Sequence, residues 1–303
     1  MTLTNAHTHL EGGWMTEICP DNNGQDFLPW IGSLIQRRNA KRDAGRLEAL
    51  ERAAIETGIQ TLIDSGHTHI GDITLGGYSV EPLLASGLAG VVYVEAIGSG
   101  TPDAQTHFEH ARAIIERWRP YERNGMRVGL TIHTPYSVSP RLWQLSLEYA
   151  RKEALELCIH VAESPAEYAF LRYNSGPMTD PPWRSARDWS PPLKSPVAYL
   201  EDLGALELKP LLVHAVQVDD EDIARIKKYG CAVAHCPRSN RLLRCGRMPL
   251  EKFLAAGVQV YLGTDSLGSS PSIDVRDEIA AAVQTHAGIV DAATVEALAW
   301  QAL

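Results

Sequence analysis

Two histidines one residue apart, His7 and His9, stand near the start of the chain behind a strand-like lead-in, Thr2-Leu3-Thr4-Asn5-Ala6. Side chains alternate faces along a strand, so residues two apart point the same way. A strand here presents both imidazoles to one point, which is what a metal site requires. Four further positions of fitting chemistry each follow an apolar, strand-like run: His133, His160 with Glu163, His214, and Asp265 within Leu262-Gly263-Thr264-Asp265-Ser266. A lone histidine at a strand end is ordinarily a hydrogen-bonded core residue. Several such groups ending successive strands are not explained by packing.

Residue type sets the chemistry. Neutral imidazoles with one carboxylate suit Zn²⁺ or Fe²⁺ and leave a coordination position for water. Such a metal lowers the pKa of its water to about 7 and so supplies hydroxide at neutral pH. A carboxylate must then move the proton. Glu163, three residues past His160 where that strand has just ended, is the candidate general acid/base. His214 is suited to hold the hydroxide or polarise the reacting centre. A bridged two-metal site would want a lysine at the end of the fourth strand, and none lies between Met126 and Arg151. One metal is therefore expected.

The elements that position these groups alternate strand and helix eight times. The strand candidates are Leu3–Ala6, Gln60–Ile63, Gly90–Ala96, Arg127–Ile132, Glu156–Val161, Pro210–Val213, Cys231–Ala234 and Val258–Leu262. Helical stretches include Ala44–Thr57, Ala104–Trp118, Pro140–Glu153, Asp219–Tyr229 and Pro249–Ala255, with Gly58, Gly230 and Gly257 read as closing glycines. Such alternation predicts a parallel sheet. Eight units predict a closed (β/α)8 TIM-type barrel, in which catalytic groups gather at the C-terminal ends of the strands. No GxGxxG follows a strand, which removes the main reason for a dinucleotide fold. Two long connections leave strand C-termini. Leu10–Asn39 carries Trp14, Phe27 and Trp30, and Arg172–Pro196 carries six prolines, Trp183 and Trp189. On the active face of a barrel, long loops serve as lids or specificity walls.

Composition bounds the rest. The 303 residues, 45% of them apolar, fit a single domain over 1–303 with an ample core. No apolar run reaches membrane-spanning length, and no basic-then-apolar leader precedes the first strand, so neither a membrane nor secretion is expected. A net charge of −9 argues against nucleic acid as a partner. Five cysteines, Cys19, Cys158, Cys231, Cys236 and Cys245, form no even framework and point to reduced thiols in a cytoplasm. Cys231, His235, Cys236 and Cys245 match no common zinc-finger spacing.

Taken together, His7-Thr8-His9-Leu10-Glu11-Gly12, His133-Thr134-Pro135-Tyr136-Ser137, His160-Val161-Ala162-Glu163, His214-Ala215-Val216, Cys236-Pro237-Arg238-Ser239-Asn240 and Gly263-Thr264-Asp265-Ser266 resemble the amidohydrolase superfamily, and within it the deaminase and chlorohydrolase branch. The resemblance runs over nearly the whole chain in the right order. It implies a mononuclear site with His7, His9, His160 and Asp265 as ligands, Glu163 and His214 in the roles above, and Asp265 as an additional acceptor of the water proton. Glu95, His133-Thr134-Pro135 and Cys236-Pro237-Arg238-Ser239-Asn240-Arg241 are similar to a bacterial subgroup that deaminates 6-amino-6-deoxyfutalosine, an adenine nucleoside derivative of menaquinone synthesis. The resemblance thus implies a cytoplasmic deaminase of a small purine-like nucleoside. Its rivals are a deaminase of adenosine, S-adenosylhomocysteine, guanine or cytosine, a chlorohydrolase or cyclic amidase, and a silent barrel that only binds metal or ligand. A homodimer is left open. Most of the branch carries a small β-sandwich flanking the barrel, which is expected to be absent or truncated here.

Glu11, His133 and Tyr136 are expected to face the substrate pocket, with a structural role weighed equally against contact for Glu11 and Tyr136. His67-Thr68-His69 is a second HxH, expected in a loop and not as a ligand pair. His107, His110 and His286 fall on helices and are expected at the surface, while His235 lies in a strand as core or support for the site. Trp183 and Trp189 either stack a purine or pin the proline-rich loop, and pinning is the expected role.

Overall fold

The computed structural model describes residues 2–303. Eight strands, β1 Thr4–Thr8, β2 His69–Thr74, β3 Ala89–Ala96, β4 Met126–Ile132, β5 Leu157–Val161, β6 Leu211–His214, β7 Ala232–His235 and β8 Val260–Leu262, each pair in parallel with the next in chain order. The main chain joins the last strand to the first. The amides of Thr264 and Asp265 both donate to the His7 carbonyl at 3.0 Å, and Thr8 bridges Asp265 in parallel. Asn5 Nδ2 reinforces the seam with a bond to Thr264 Oγ1 at 2.8 Å. Only glycine fits at position 263, because a Cβ there would lie 2.7 Å from His7 Cβ. The eight-stranded barrel is confirmed.

The strands are buried on both faces, as parallel strands between helices must be. In β3, Val91 and Tyr93 face the lumen core with Ile73, Val213 and Ala234, while Val92 and Val94 join the outer core under the helices. The helices are α1 Phe27–Asp43, α2 Leu47–Asp64, α3 Val80–Ser86, α4 Ala104–Trp118, α5 Pro140–Glu153, α6 Pro165–Tyr173, α7 Pro196–Asp202, α8 Asp220–Tyr229, α9 Pro237–Leu242, α10 Leu250–Ala255, α11 Val275–Thr285 and α12 Ala292–Ala297. Local chemistry sets several ends. Ser139 caps α5 by accepting from Leu142 N, with Pro140 in the first turn. Asp219 caps α8, acids fill its first turn, Lys227 and Lys228 fill its last, and left-handed Gly230 closes it.

Four expectations are corrected. Gln60–Ile63 is not a strand but the end of α2, where Ile55, Ile59 and Leu62 recur at helical spacing on its buried face. Gly58 therefore closes nothing; it lies inside α2, where a Cβ would meet Leu10 Cδ2 at 2.8 Å. The true second strand was hidden by its polar member Asp72, which is buried because Thr8 Oγ1, Leu10 N and Ser79 Oγ all donate to it. Likewise Leu10–Asn39 is no mere connection, since it contains most of α1. His286 is not a surface residue: it is fully buried and paired with His235.

A separate apolar cluster lies over the C-terminal mouth of the barrel. Met15, Phe27 and Trp30 pack there with Tyr136, Phe170 and Met178. Arg187 ties the segment after α6 into it, donating from Nε to Tyr136 O at 2.9 Å and from Nη1 to Met178 O at 3.1 Å over the Phe170 ring. Trp189 Nε1 donates to Ser99 O at 3.0 Å and pins the same segment.

α9 follows β7 and carries Ser239 and Asn240 to the mouth. It is tethered to α11 by buried Arg238, whose Nε and backbone N donate to Glu278 at 2.5 and 3.0 Å. Glu278→Ala leaves Arg238 buried without its partner and should cost about 3–5 kcal/mol. Denaturant unfolding will show this as a lowered midpoint with unchanged slope; a loss below about 1 kcal/mol would mean that water replaces the partner.

Candidate active site

The strand ends deliver the polar groups to one place. His7 stacks edge-on to His9 and His160, with ring centroids 4.8 and 4.9 Å apart, and His214 lies 5.6 Å from His160. Asp265 Oδ1 is 3.5 Å from the Nε2 atoms of both His7 and His9, and His9 Nε2 is 3.3 Å from His160 Nε2. Bringing these side chains inward bends the backbone: Ala162, His214, Ala215 and Asp265 all have positive φ, between 46° and 72°. Non-glycine residues seldom adopt this region, and such strain concentrates at functional sites.

Neighbouring groups orient each ring. His160 Nδ1 lies 3.2 Å from His133 O, so it carries the proton and leaves the Nε2 lone pair facing the cluster. His214 Nδ1 lies 3.0 Å from Asn240 Oδ1 and is fixed in the same sense. Burial lowers the pKa of His7 and His160, and takes His9 down to about 4, so the imidazoles are neutral. For Asp265, burial pushes the carboxyl up. Contact with His7 and the nearness of His9 and His214 outweigh that and hold it well below the usual range. The ionised group accepts from Ser239 and Ser269 through Oδ2 at 2.7 and 2.9 Å, and from Ser266 N through Oδ1 at 2.8 Å.

This donor set fits a divalent cation. His7 Nε2 is buried with no hydrogen-bond partner, beside a lone pair of His160 and an ionised oxygen of Asp265. Ligand atoms of His7, His9 and Asp265 lie within 4.8 Å of one another, as do those of His7, His160 and His214, and of Glu163, His214 and Asp265. Neutral nitrogens with one carboxylate are what Zn²⁺ or Fe²⁺ takes.

Glu163 sits beside this cluster, 3.5 Å from His214 Nε2. Burial, then the charges of Asp265 and Glu167, push its carboxyl well above the usual range and favour its protonated form. Its position is set from behind by Glu167, which accepts from Ala162 N at 2.9 Å and Glu163 N at 2.8 Å.

A cavity of about 290 Å³ opens above these groups. Phe27, Trp30, Ile31 and Leu34 of α1 form one wall, and Tyr136 and Trp183 line it elsewhere. The two tryptophans thus divide the roles weighed for them: Trp189 pins the loop and Trp183 faces the cavity. His133 and Glu11 also line it. Glu11 spends its carboxylate on the chain after β2, accepting from Thr74 Oγ1 and from the amides of Leu75, Gly76 and Tyr78. His133 Nδ1 is bonded to Ser137 Oγ at 2.6 Å, which turns Nε2 towards Glu95, 3.8 Å away. The second HxH is at the other end of the barrel. His67 precedes β2 and accepts from Val275 N, while His69 starts that strand and is half-exposed.

Sequence reasoning named Ser239, Asn240 and Glu95 only within the resemblance, without a role at the site, and passed over Glu167. Glu95 had a signal, a single acid in the apolar run Gly90–Ala96. Its Oε1 is buried without a partner, and it lines the cavity.

A model described as the amidohydrolase family matches residues 2–300. An aminodeoxyfutalosine deaminase of Deinococcus radiodurans is 39% identical over 297 residues, covering 94% of this chain and 68% of the relative. Among solved structures, Helicobacter pylori aminofutalosine deaminase in complex with methylthio-coformycin superposes with a TM-score of 0.81 at 24% identity, over 97% of this chain and 70% of that one. An adenosine deaminase from Xanthomonas campestris with bound zinc superposes with a TM-score of 0.80 at 20% identity, over 98% of this chain and 64% of its own. The chain thus spans about two thirds of the length of these proteins.

Burial, and secondarily the charge of Glu11, push the Glu95 carboxyl up to about 8. A carboxyl raised on folding keeps its proton longer in the native than in the unfolded state. Native stability therefore falls as pH climbs from the ordinary carboxylate value to about 8, and is flat above it. Glu95→Gln removes this dependence. Thermal midpoints followed from about pH 5 to pH 8 should show the variant gaining on the parent protein as pH rises. A constant difference would mean that Glu95 ionises freely in the cavity.

Proposed function

Because the chain belongs to the amidohydrolase family, we propose that it is a cytoplasmic metal-dependent deaminase of a purine-like nucleoside, with 6-amino-6-deoxyfutalosine as its substrate. The observation that carries the substrate is the 39% identity to a deaminase of that specificity along nearly the whole chain. The buried Glu163 at the mouth, whose surroundings favour its protonated form, supports the reaction type. All five cysteines are free, and among the described residues no helix is long and apolar enough to cross a membrane, which accords with this setting.

His7, His9, His160 and Asp265 would hold one divalent ion, Zn²⁺ or Fe²⁺. When bound, the ion supplies the Lewis acidity that makes water nucleophilic at neutral pH. The protein's groups move the protons. Asp265, ionised among three donors, takes the proton that the attacking water gives up. Glu163 gives its own proton to the ring nitrogen next to the carbon under attack. His214, its Nδ1–H committed to Asn240, keeps Nε2 turned to Glu163 and the reacting centre. The carbon–oxygen bond forms, the proton from Asp265 passes to the exocyclic amine, the carbon–nitrogen bond breaks with its electron pair on nitrogen, ammonia leaves, and the remaining hydroxyl proton returns to Glu163 as the ring carbonyl forms. The apolar wall of α1 excludes water from the rest of the ring system. His133, with Nε2–H directed into the cavity, and Tyr136 contact the substrate.

Ammonia release from a panel of adenosine, S-adenosylhomocysteine, guanine, cytosine and 6-amino-6-deoxyfutalosine tests the reading. The last should be turned over best, and Glu163→Gln should bind metal normally while losing about 10²–10⁴-fold in turnover. Release from guanine or cytosine alone would overturn the substrate but keep the mechanism. Near-native turnover by the variant would remove Glu163 as the proton carrier.

A further inference from the structure

A second cavity, of about 310 Å³, lies outside the barrel behind His214. It is lined by His235, Asn240, Arg241, Arg244 and Arg247, with Pro237, Gly246 and Thr285. Its polar groups can be assigned one by one. Arg247 Nη1, which can only donate, lies 3.0 Å from His286 Nδ1, so that nitrogen accepts. The neutral His286 then carries its proton on Nε2 and donates it to His235 Nε2 at 3.1 Å. His235 must therefore carry its own proton on Nδ1, and that atom is buried with no partner. Asn240 accepts from His214 through Oδ1, which leaves Nδ2 as a donor, also buried with no partner. Both residues are only 1% exposed. Two buried donors without partners, on two residues that line one cavity, are costly. The three arginines add donors and positive charge. Arg244 and Arg247 are offset by Asp26 and Glu251 at 3.1 and 2.7 Å, whereas Arg241 is exposed and has no ion pair among the described residues.

We propose that this cavity is an oxyanion site that takes a phosphate group, held by Arg241 and by the Nδ1–H of His235 and Nδ2–H of Asn240. Phosphate supplies several acceptor oxygens and no obligatory donor, which matches a lining whose free groups all donate. Water satisfies such donors less completely, since it brings hydrogens that also need acceptors. Because Asn240 reaches this cavity with one end and His214 with the other, an occupant here steadies the ring that faces Glu163. The site is separate from the mouth cavity and does not depend on which amine the mouth deaminates.

Titration of the intact protein with inorganic phosphate and with ribose 5-phosphate, at constant ionic strength, tests the site by calorimetry and thermal unfolding. Phosphate should bind saturably and raise the unfolding midpoint by about 2–4 °C once it is several times its Kd. Arg241→Ala, a change on the exposed rim, should fold normally and weaken this binding about tenfold or more. Tighter binding of ribose 5-phosphate than of phosphate would identify the occupant as a phosphorylated metabolite, and equal binding would identify it as free phosphate. No saturable binding, or binding that Arg241→Ala leaves intact, would overturn the proposal, the latter because it would place the anion at the mouth instead.

Discussion

The seam between β1 and the end of β8 is the constraint on which the site depends. One carbonyl, that of His7, accepts from both Thr264 and Asp265. The bonds that close the barrel are therefore the bonds that set His7 beside Asp265. Gly263 permits the approach, since any side chain would strike His7. Closure and assembly of the cluster are one event: a barrel that failed to close would separate the first strand's imidazoles from the last strand's carboxylate.

Around that seam the protein sorts its charges by environment. Burial alone would neutralise every group at the mouth. It does so for the imidazoles, and it favours the protonated form of Glu163. Asp265 escapes because three donors and three histidines favour its anion. Two carboxyls in one site are thus pushed in opposite directions, which suits a reaction that needs both an acid and a base. The support for each comes from the element behind it, Glu167 on α6 for Glu163 and Ser239 on α9 for Asp265. This is why the buried Arg238–Glu278 tether, remote from the mouth, matters to the site.

Much of this was legible in the chain. The mouth residues follow apolar runs at strand ends, and α4 and α5 span the ranges read from the sequence, Ala104–Trp118 and Pro140–Glu153. What was not legible had a common physical cause, which is long-range satisfaction of polar groups. Asp72 reads as a break in a strand until Thr8, Leu10 and Ser79 are seen to surround it. His286 reads as a surface helix residue until His235 meets it. Gln60–Ile63 failed differently, because a short apolar run fits either period and only its neighbours Ile55 and Ile59 decide. For Glu11 a substrate contact and a structural role were both open, and no spacing in the chain could reveal that its carboxylate is engaged by the segment after β2.

The central claim is that barrel closure builds a single metal centre from the first, fifth and eighth strands. Anomalous diffraction from crystals of the metal-loaded protein, recorded at the zinc and iron edges, tests it most directly. The account predicts one ion, about 2.0–2.2 Å from nitrogens of His7, His9 and His160 and an oxygen of Asp265. Two ions at the mouth, or a single ion bound instead by His67 and His69 at the opposite end of the barrel, would contradict it.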